Sequence, residues 1–228
     1  MIDLKEANEE PLTWRLLVAL VPIYVSLAVI HGDRILEIAG SQPGLALAQL
    51  AAIGATPLLC LKVLLSLLPN LADTRWKERL AHLRWHDPLP GGRCHKLLDG
   101  DARISQDDLP PEVEALKEDS LTARERNARW YRDVYLSVRT DPAVSNTHRQ
   151  YLLYRDASAG TLLLIVVSAF LDILSRVTWG MPVLHGLAYL ALLVYLLALI
   201  FNANAAGNRM VTGAIANFSN HHGSRGNP

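Results

Sequence analysis

The chain has 228 residues, 22 basic and 22 acidic side chains, and 50% hydrophobic but only 7% aromatic residues. Zero formal charge removes the electrostatic case for nucleic acid as a partner of the whole molecule. The apolar excess is Leu, Ala, Val and Ile gathered into blocks, which disfavours a sheet barrel and points to helices in a membrane. Cys60 lies inside an apolar block and Cys94 in the polar middle, so the two give no disulfide framework and read as free thiols.

Met1 to Pro11 is acidic with a single lysine, and no small-residue cleavage pattern follows the first apolar block, which therefore reads as retained. That block, about 14–30 (WRLLVALVPIYVSLAVI), has roughly the minimum length for a ~30 Å hydrocarbon layer. Trp14 and Arg15 suit its interface, and Pro22 is a kink that neighbouring helices can repair. His31 to Gly44 reads as a polar link closed by a Pro-Gly turn. The second span, about 45–68, contains Gln49, Lys62 and Pro57, and the small residues from Ala48 to Ala55 would let another helix approach closely.

From Asp73 to Ala159 the chain is polar, holding fifteen Lys and Arg against fifteen Asp and Glu. DTRWKERLAH starts as a helix and stops at Pro-Leu-Pro-Gly-Gly, and Arg93 to Pro111 reads as loop. From Leu121 a helix is predicted with Tyr131, Val134, Tyr135 and Val138 on one stripe and Arg126, Arg129 and Arg132 on other faces. Asp141 and Pro142 mark a fresh start, with Asp as cap and Pro in the first turn. One long helix is predicted from there to about Ser175, its apolar part (160–176) forming the third span. A turn at Trp179, Gly180 and Pro182 leads to the fourth span at 183–201. The residues after it could prolong the helix, and the chain then ends in a polar stub.

The predicted organisation is thus an all-α membrane protein of four transmembrane helices: a hairpin (1–72), a cytoplasmic helical module (73–159) inserted between helices 2 and 3, a second hairpin (160–201) and a cytoplasmic tail (202–228). Arg75, Lys77, Arg79 and Arg84 follow span two and Arg149 and Arg155 precede span three, against one arginine in each outer link, Arg34 and Arg176. That bias places the module and both termini in the cytoplasm, for a plasma-membrane protein of a bacterium.

Three intramembrane polar residues invite a reading as a pathway: Gln49, Lys62 and Asp172. Lys62 lies near enough to Pro69 to snorkel, and Asp172 sits one turn from Arg176, which favours a rim ion pair. His82, His86, Cys94 and His95 have zinc-binding chemistry but no zinc spacing, so no metal is assigned. PLPGGR lacks the strand-to-helix setting and the Lys-Ser/Thr of a phosphate loop and reads as a turn. The densest polar constellation is RERNARWYRDVY with HRQYLLYRD, where arginines alternate with aromatics. Arg124, Arg129, Trp130, Arg132, His148, Arg149 and Arg155 are the candidate ligand- or partner-binding set. The competing reading has these arginines facing headgroups or pairing with Asp133, Asp141 and Asp156. No triad order, paired carboxylates or nucleotide fingerprint emerges, so no catalytic residue and no cofactor are assigned.

RWHDPLPGGR (Arg84 to Arg93), DARI (Asp101 to Ile104), RNARWYRDVY (Arg126 to Tyr135), DPAV (Asp141 to Val144) and HRQYLLYRD resemble an uncharacterised family of bacterial multi-pass, four-helix membrane proteins. The resemblance covers the module and its junction with span three, implies the architecture and carries no catalytic residues. More loosely, the layout is similar to small membrane effectors of bacterial anti-phage defence systems, an analogy of architecture alone. The function expected is a non-enzymatic membrane effector or adaptor, self-associating through Ala48 to Ala55 and Ala203 to Gly207, whose module receives a cytoplasmic protein or a small signalling ligand. The alternative is a constitutive channel or small transporter using Lys62, Gln49 and Asp172; a membrane-bound enzyme using His86 or His148 is a third reading.

Overall fold

A computed structural model describes residues 8–41, 44, 74–98, 101–104 and 109–223, and every regular element among them is helical. In chain order these are α1 (Glu9–Ser41), α2 (Thr74–His82), α3 (Cys94–Leu98), α4 (Pro111–Glu114), α5 (Ala123–Arg129), α6 (Leu136–Val138), α7 (Pro142–Trp179) and α8 (Gly186–Gly223). A 3₁₀ turn at Pro90–Arg93 precedes α3, another at Ala115–Lys117 follows α4, and a π-helical turn at Trp130–Tyr135 joins α5 to α6.

Among the described residues three helical stretches, Glu9–Asp33, Pro142–Thr178 and Gly186–His222, are long and apolar enough to cross a membrane. The predicted second span, with Gln49 and Lys62, lies outside the described residues, as does Cys60. At about 1.5 Å per residue the 38 residues of α7 extend roughly 57 Å, nearly twice a ~30 Å hydrocarbon layer. Half of such a helix must therefore serve another purpose.

The chain divides into two compact units. One contains α1 with 156–179 of α7 and 186–199 of α8. Its core is Leu16, Ala19, Leu20 and Ile23 of α1 with Leu164, Leu184 and Leu192. Gly160 packs closely there: a Cβ would stand 2.9 Å from Leu16 Cδ2, and the leucine side chain would have to shift to admit it. Polar ties close the ends: Ser26 Oγ accepts the His185 amide at 2.6 Å, and the Tyr195 hydroxyl donates to the Arg15 carbonyl at 2.9 Å. The outward faces are apolar, with Val18, Val21, Val25 and Val29 on α1 exposed, Ile173 63% exposed and Leu187 77% exposed. A contiguous aliphatic exterior on long helices is the surface that lipid, not water, covers.

In α1 the helix continues to Ser41 through residues predicted as a polar link. No proline interrupts 31–41, and Ile35, Leu36 and Glu37 carry little helical penalty, so propensity overrides the local polarity.

The other unit groups Asn8, Thr74–Arg155 and the distal half of α8 from Ile200. Its core joins Cys94, Leu98, Val113, Leu116, Trp130 and Val134 to Val144 and Tyr151 of α7, and to Met210, Val211, Ala214, Ile215 and Phe218 of α8. The region predicted as a tail after 201 is thus helical to Gly223. Buried residues recurring every three or four positions (Ala203, Ala206, Met210, Ala214, Phe218) supply the reason. Ala203 and Ala206 are fully buried within this unit, so the Ala203–Gly207 face proposed for self-association is already occupied. Residues 93–111, predicted as loop, begin with α3, whose Cys94 and Leu98 anchor it in the core.

Candidate functional site

The site is assembled around the π turn. Thr122 opens α5 with a capping box: its hydroxyl accepts the Glu125 amide at 3.3 Å and the Glu125 carboxylate accepts the Thr122 amide at 3.0 Å. One turn on, Arg126 is buried, not on an outer face as the sequence pattern suggested. Its Nε donates to the Leu116 carbonyl at 2.8 Å and an Nη to the Glu118 carbonyl at 2.9 Å. The guanidinium thereby pins the loop before α5 to the helix.

From Trp130 to Tyr135 the helix widens to π geometry. Residues five apart then share a face, so the Trp130 and Tyr135 rings meet with centroids 5.4 Å apart. The buried stripe is therefore Trp130, Val134, Tyr135 and Val138, while Tyr131, predicted for that stripe, is 47% exposed. Tyr131 stacks on Tyr135 at 5.2 Å instead. Single π turns of this kind recur at functional sites because they redirect side chains without ending the helix.

Room for these rings comes from Pro90–Arg93. A Cβ on Gly91 would lie 2.5 Å from Trp130 Cε3 and 2.6 Å from Asn127 Oδ1, and one on Gly92 would lie 2.7 Å from the Ala123 carbonyl oxygen. The turn predicted at these glycines is present as the 3₁₀ turn, and the glycines also let the chain cross directly over α5.

A cavity of about 130 Å³ opens beside the π turn, walled by Trp130, Tyr131, Tyr135, His148, Tyr151 and Arg155, with Glu78 at one side. Arg155 lies 3.7 Å from Glu78, both side chains largely buried at 9% and 11% exposure. The Tyr135 hydroxyl is 2.5 Å from His148 Nδ1. Burial pushes the Tyr135 phenol above its ordinary value, so it keeps its proton, and the imidazole tautomer sets which of the two groups donates. Trp130 Nε1 is buried with no acceptor among the described residues. Behind the cavity His82 stacks on Tyr151 at 5.7 Å, and its Nδ1 lies 3.2 Å from Asn204 Oδ1 and 3.3 Å from an Arg93 Nη. Burial, then the charge of Arg93, lowers the His82 pKa to about 4, so this imidazole is neutral at physiological pH. Gly207 admits the pair, since a Cβ there would stand 3.1 Å from His82 Cε1.

Of the seven candidate binding residues, the structure brings Trp130, His148 and Arg155 to this cavity. Arg124 lies in a separate cleft with Arg75 and Arg79. Arg129 faces Glu118 at 3.8 Å, and Arg132 pairs with Asp133 at 2.6 Å on the surface. Arg149 Nε donates to Asn8 Oδ1 at 3.1 Å while Asn8 Nδ2 donates back to the Arg149 carbonyl at 2.9 Å. Glu78 and Tyr151 were not singled out in the sequence. Glu78 is one acid among many on a short charged helix, and only the fold reveals that it faces Arg155.

Asp172 accepts Arg176 Nε at 2.9 Å and the amides of Val183 and Leu184 at 2.6 and 3.2 Å. It is a clamp for the turn between α7 and α8. The Cys94 thiol is buried and pushed up to about 11 by desolvation, an inert packing group. Among the described residues no three His, Cys, Asp or Glu side chains gather as a metal site.

The chain matches no family model, no curated protein and no solved structure.

Proposed function

We propose that the protein is a multi-pass membrane receptor–effector, non-enzymatic, whose extramembrane helical module takes a small ligand or a side chain of a partner protein into the cavity at the π turn. The observation that carries this reading is the composition of the walls. Aromatic rings, a phenol–imidazole pair and a largely buried Glu78–Arg155 pair converge on one void. Two wall residues, Tyr151 and Arg155, belong to α7, a helix long and apolar enough to cross a membrane. Occupation of the cavity would bias α7 directly, with no separate linker to order. In this proposal the module and both termini face the cytoplasm and the unit crosses the membrane four times.

Inducible expression in a bacterial host with a membrane-potential dye, alone and with the genes that neighbour this one, tests the proposal. Depolarisation that needs a partner and disappears in Tyr131→Ala, at unchanged membrane abundance, is the expected result. Tyr131 is chosen because it lines the cavity yet is half exposed. Depolarisation by the protein alone, indifferent to Tyr131→Ala, would replace the receptor with a constitutive channel.

A further inference from the structure

A second concavity, about 340 Å³, lies between α2 and the start of α5 and is distinct in character from the aromatic cavity. Its walls include Arg75, Arg79, Arg124, His86 and Trp85. Neither Arg79 nor Arg124 has a carboxylate at ion-pair distance among the described residues. Glu78 is engaged by Arg155, and Asp87, held in a left-handed backbone conformation (φ 47°), is a single carboxylate beside the Arg79 and Arg124 guanidinium groups. In a chain of zero net charge such a local excess is a specific feature, not a general bias.

The aromatic component points the same way. Trp85 is 72% exposed, and the Arg79 guanidinium lies 5.6 Å from its ring centroid. Stacking on the indole restrains Arg79 and leaves the edge of the guanidinium, where its N–H donors are, available to an anion. Arg84, exposed beside the cleft, adds to the positive field: together with burial it depresses the Arg93 guanidinium and contributes to keeping His82 neutral.

We propose that this cleft binds a phosphate group, with Arg79 and Arg124 as its donors and Trp85 covering one side. Guanidinium groups suit a phosphate better than a carboxylate because several oxygens can be contacted at once from different directions. The phosphate can belong to a lipid headgroup or to a soluble phosphorylated ligand, and both present the same chemistry to the cleft.

The full-length protein in neutral detergent is titrated with inorganic pyrophosphate and, separately, with a short-chain phosphatidic acid, using short-chain phosphatidylcholine as the control. Calorimetry gives affinity and tryptophan emission gives location. We expect at least one of the two anions to bind, more weakly as salt rises, with Arg79→Gln/Arg124→Gln weakening it by at least about tenfold. Both side chains are exposed, so unliganded melting of the double variant should match that of the parent. Trp85→Phe should retain binding and lose the emission change. Pyrophosphate binding alone assigns a soluble ligand, and phosphatidic acid binding alone assigns a lipid headgroup. The proposal is overturned if neither anion binds, if the double variant binds as the parent does, or if the emission change survives Trp85→Phe.

Discussion

The Tyr135 hydroxyl and His148 Nδ1 stand 2.5 Å apart, joining the end of the π turn to the first turns of α7. The rings also meet edge to face at 5.4 Å, so the two side chains fix each other in both direction and rotation. The phenol keeps its proton, and the imidazole tautomer sets which of the two donates. Tyr135→Phe preserves the ring contacts and deletes only the hydroxyl, leaving Nδ1 unpaired in a part-buried setting. The expected loss is about 1–2 kcal/mol in chemical denaturation. Partner-dependent depolarisation should fall more than stability does, because the cavity wall loses its register. Unchanged stability would mean that His148 finds another partner at no cost.

Gly91 and Gly213 make a paired test of packing. An added Cβ at Gly91 meets the Trp130 ring at 2.5 Å, whereas one at Gly213 meets nothing within 4 Å. Gly91→Ala should cost roughly 2–3 kcal/mol, by displacing Trp130 or the Pro90–Arg93 turn. Gly213→Ala, inside α8, should be neutral or stabilise by about 0.5–1 kcal/mol from helix propensity. Near-ultraviolet circular dichroism should change only for the first, since only it moves a tryptophan.

These pairs also indicate what was legible in the sequence. Long apolar runs, the Asp141 cap and the unbroken helix from Pro142 could be read directly, because burial in lipid and helix capping are local consequences of composition and spacing. Asp141 Oδ1 accepts the Ala143 and Val144 amides at 2.8 and 3.2 Å, as a cap should. The inward role of Arg126 and the register of Trp130 were not legible. A π turn adds one residue to a turn with no composition signal of its own, so a stripe counted at 3.6 residues points to Tyr131 instead of Trp130. Glu78, Tyr151 and Asn204 come from three segments far apart in the chain, and no spacing rule connects them.

His82 makes the fold sensitive to acid. It faces Arg93, Arg84, Asn204 and Tyr151, with no carboxylate among the groups that set its titration. Its folded pKa of about 4 lies below the ordinary 6.5. Above pH 6.5 both folded and unfolded forms hold a neutral imidazole and stability does not change with its titration. Between 6.5 and 4 the unfolded chain takes up a proton that the folded one refuses, so stability falls as pH drops, by at most about 3 kcal/mol. Below 4 the contribution is flat. Denaturation midpoints measured across that window should slope downward in the parent, and His82→Gln should make the slope shallower, leaving the share of His148, which burial likewise lowers to about 4. A slope unaffected by the substitution would assign the acid sensitivity to other groups.

Asp172 separates the receptor from a constitutive pore. A pathway carboxylate needs its charge facing water, yet this one is engaged by Arg176 Nε and by the Val183 and Leu184 amides. Asp172→Asn keeps an acceptor oxygen for the two amides and loses the charge and the oxygen that accepts Arg176 Nε; Asp172→Ala removes both acceptors. If the residue is a turn clamp, Asn should cost less thermal stability than Ala, and partner-triggered depolarisation should survive in Asn with unchanged ion preference. The Ala variant should lose about 1–3 kcal/mol through two orphaned amides at the end of a helix long and apolar enough to cross a membrane, where replacement partners are scarce. A changed cation-to-anion permeability ratio in Asp172→Asn, at undiminished stability, would instead place the carboxylate on a conduction path and favour the channel.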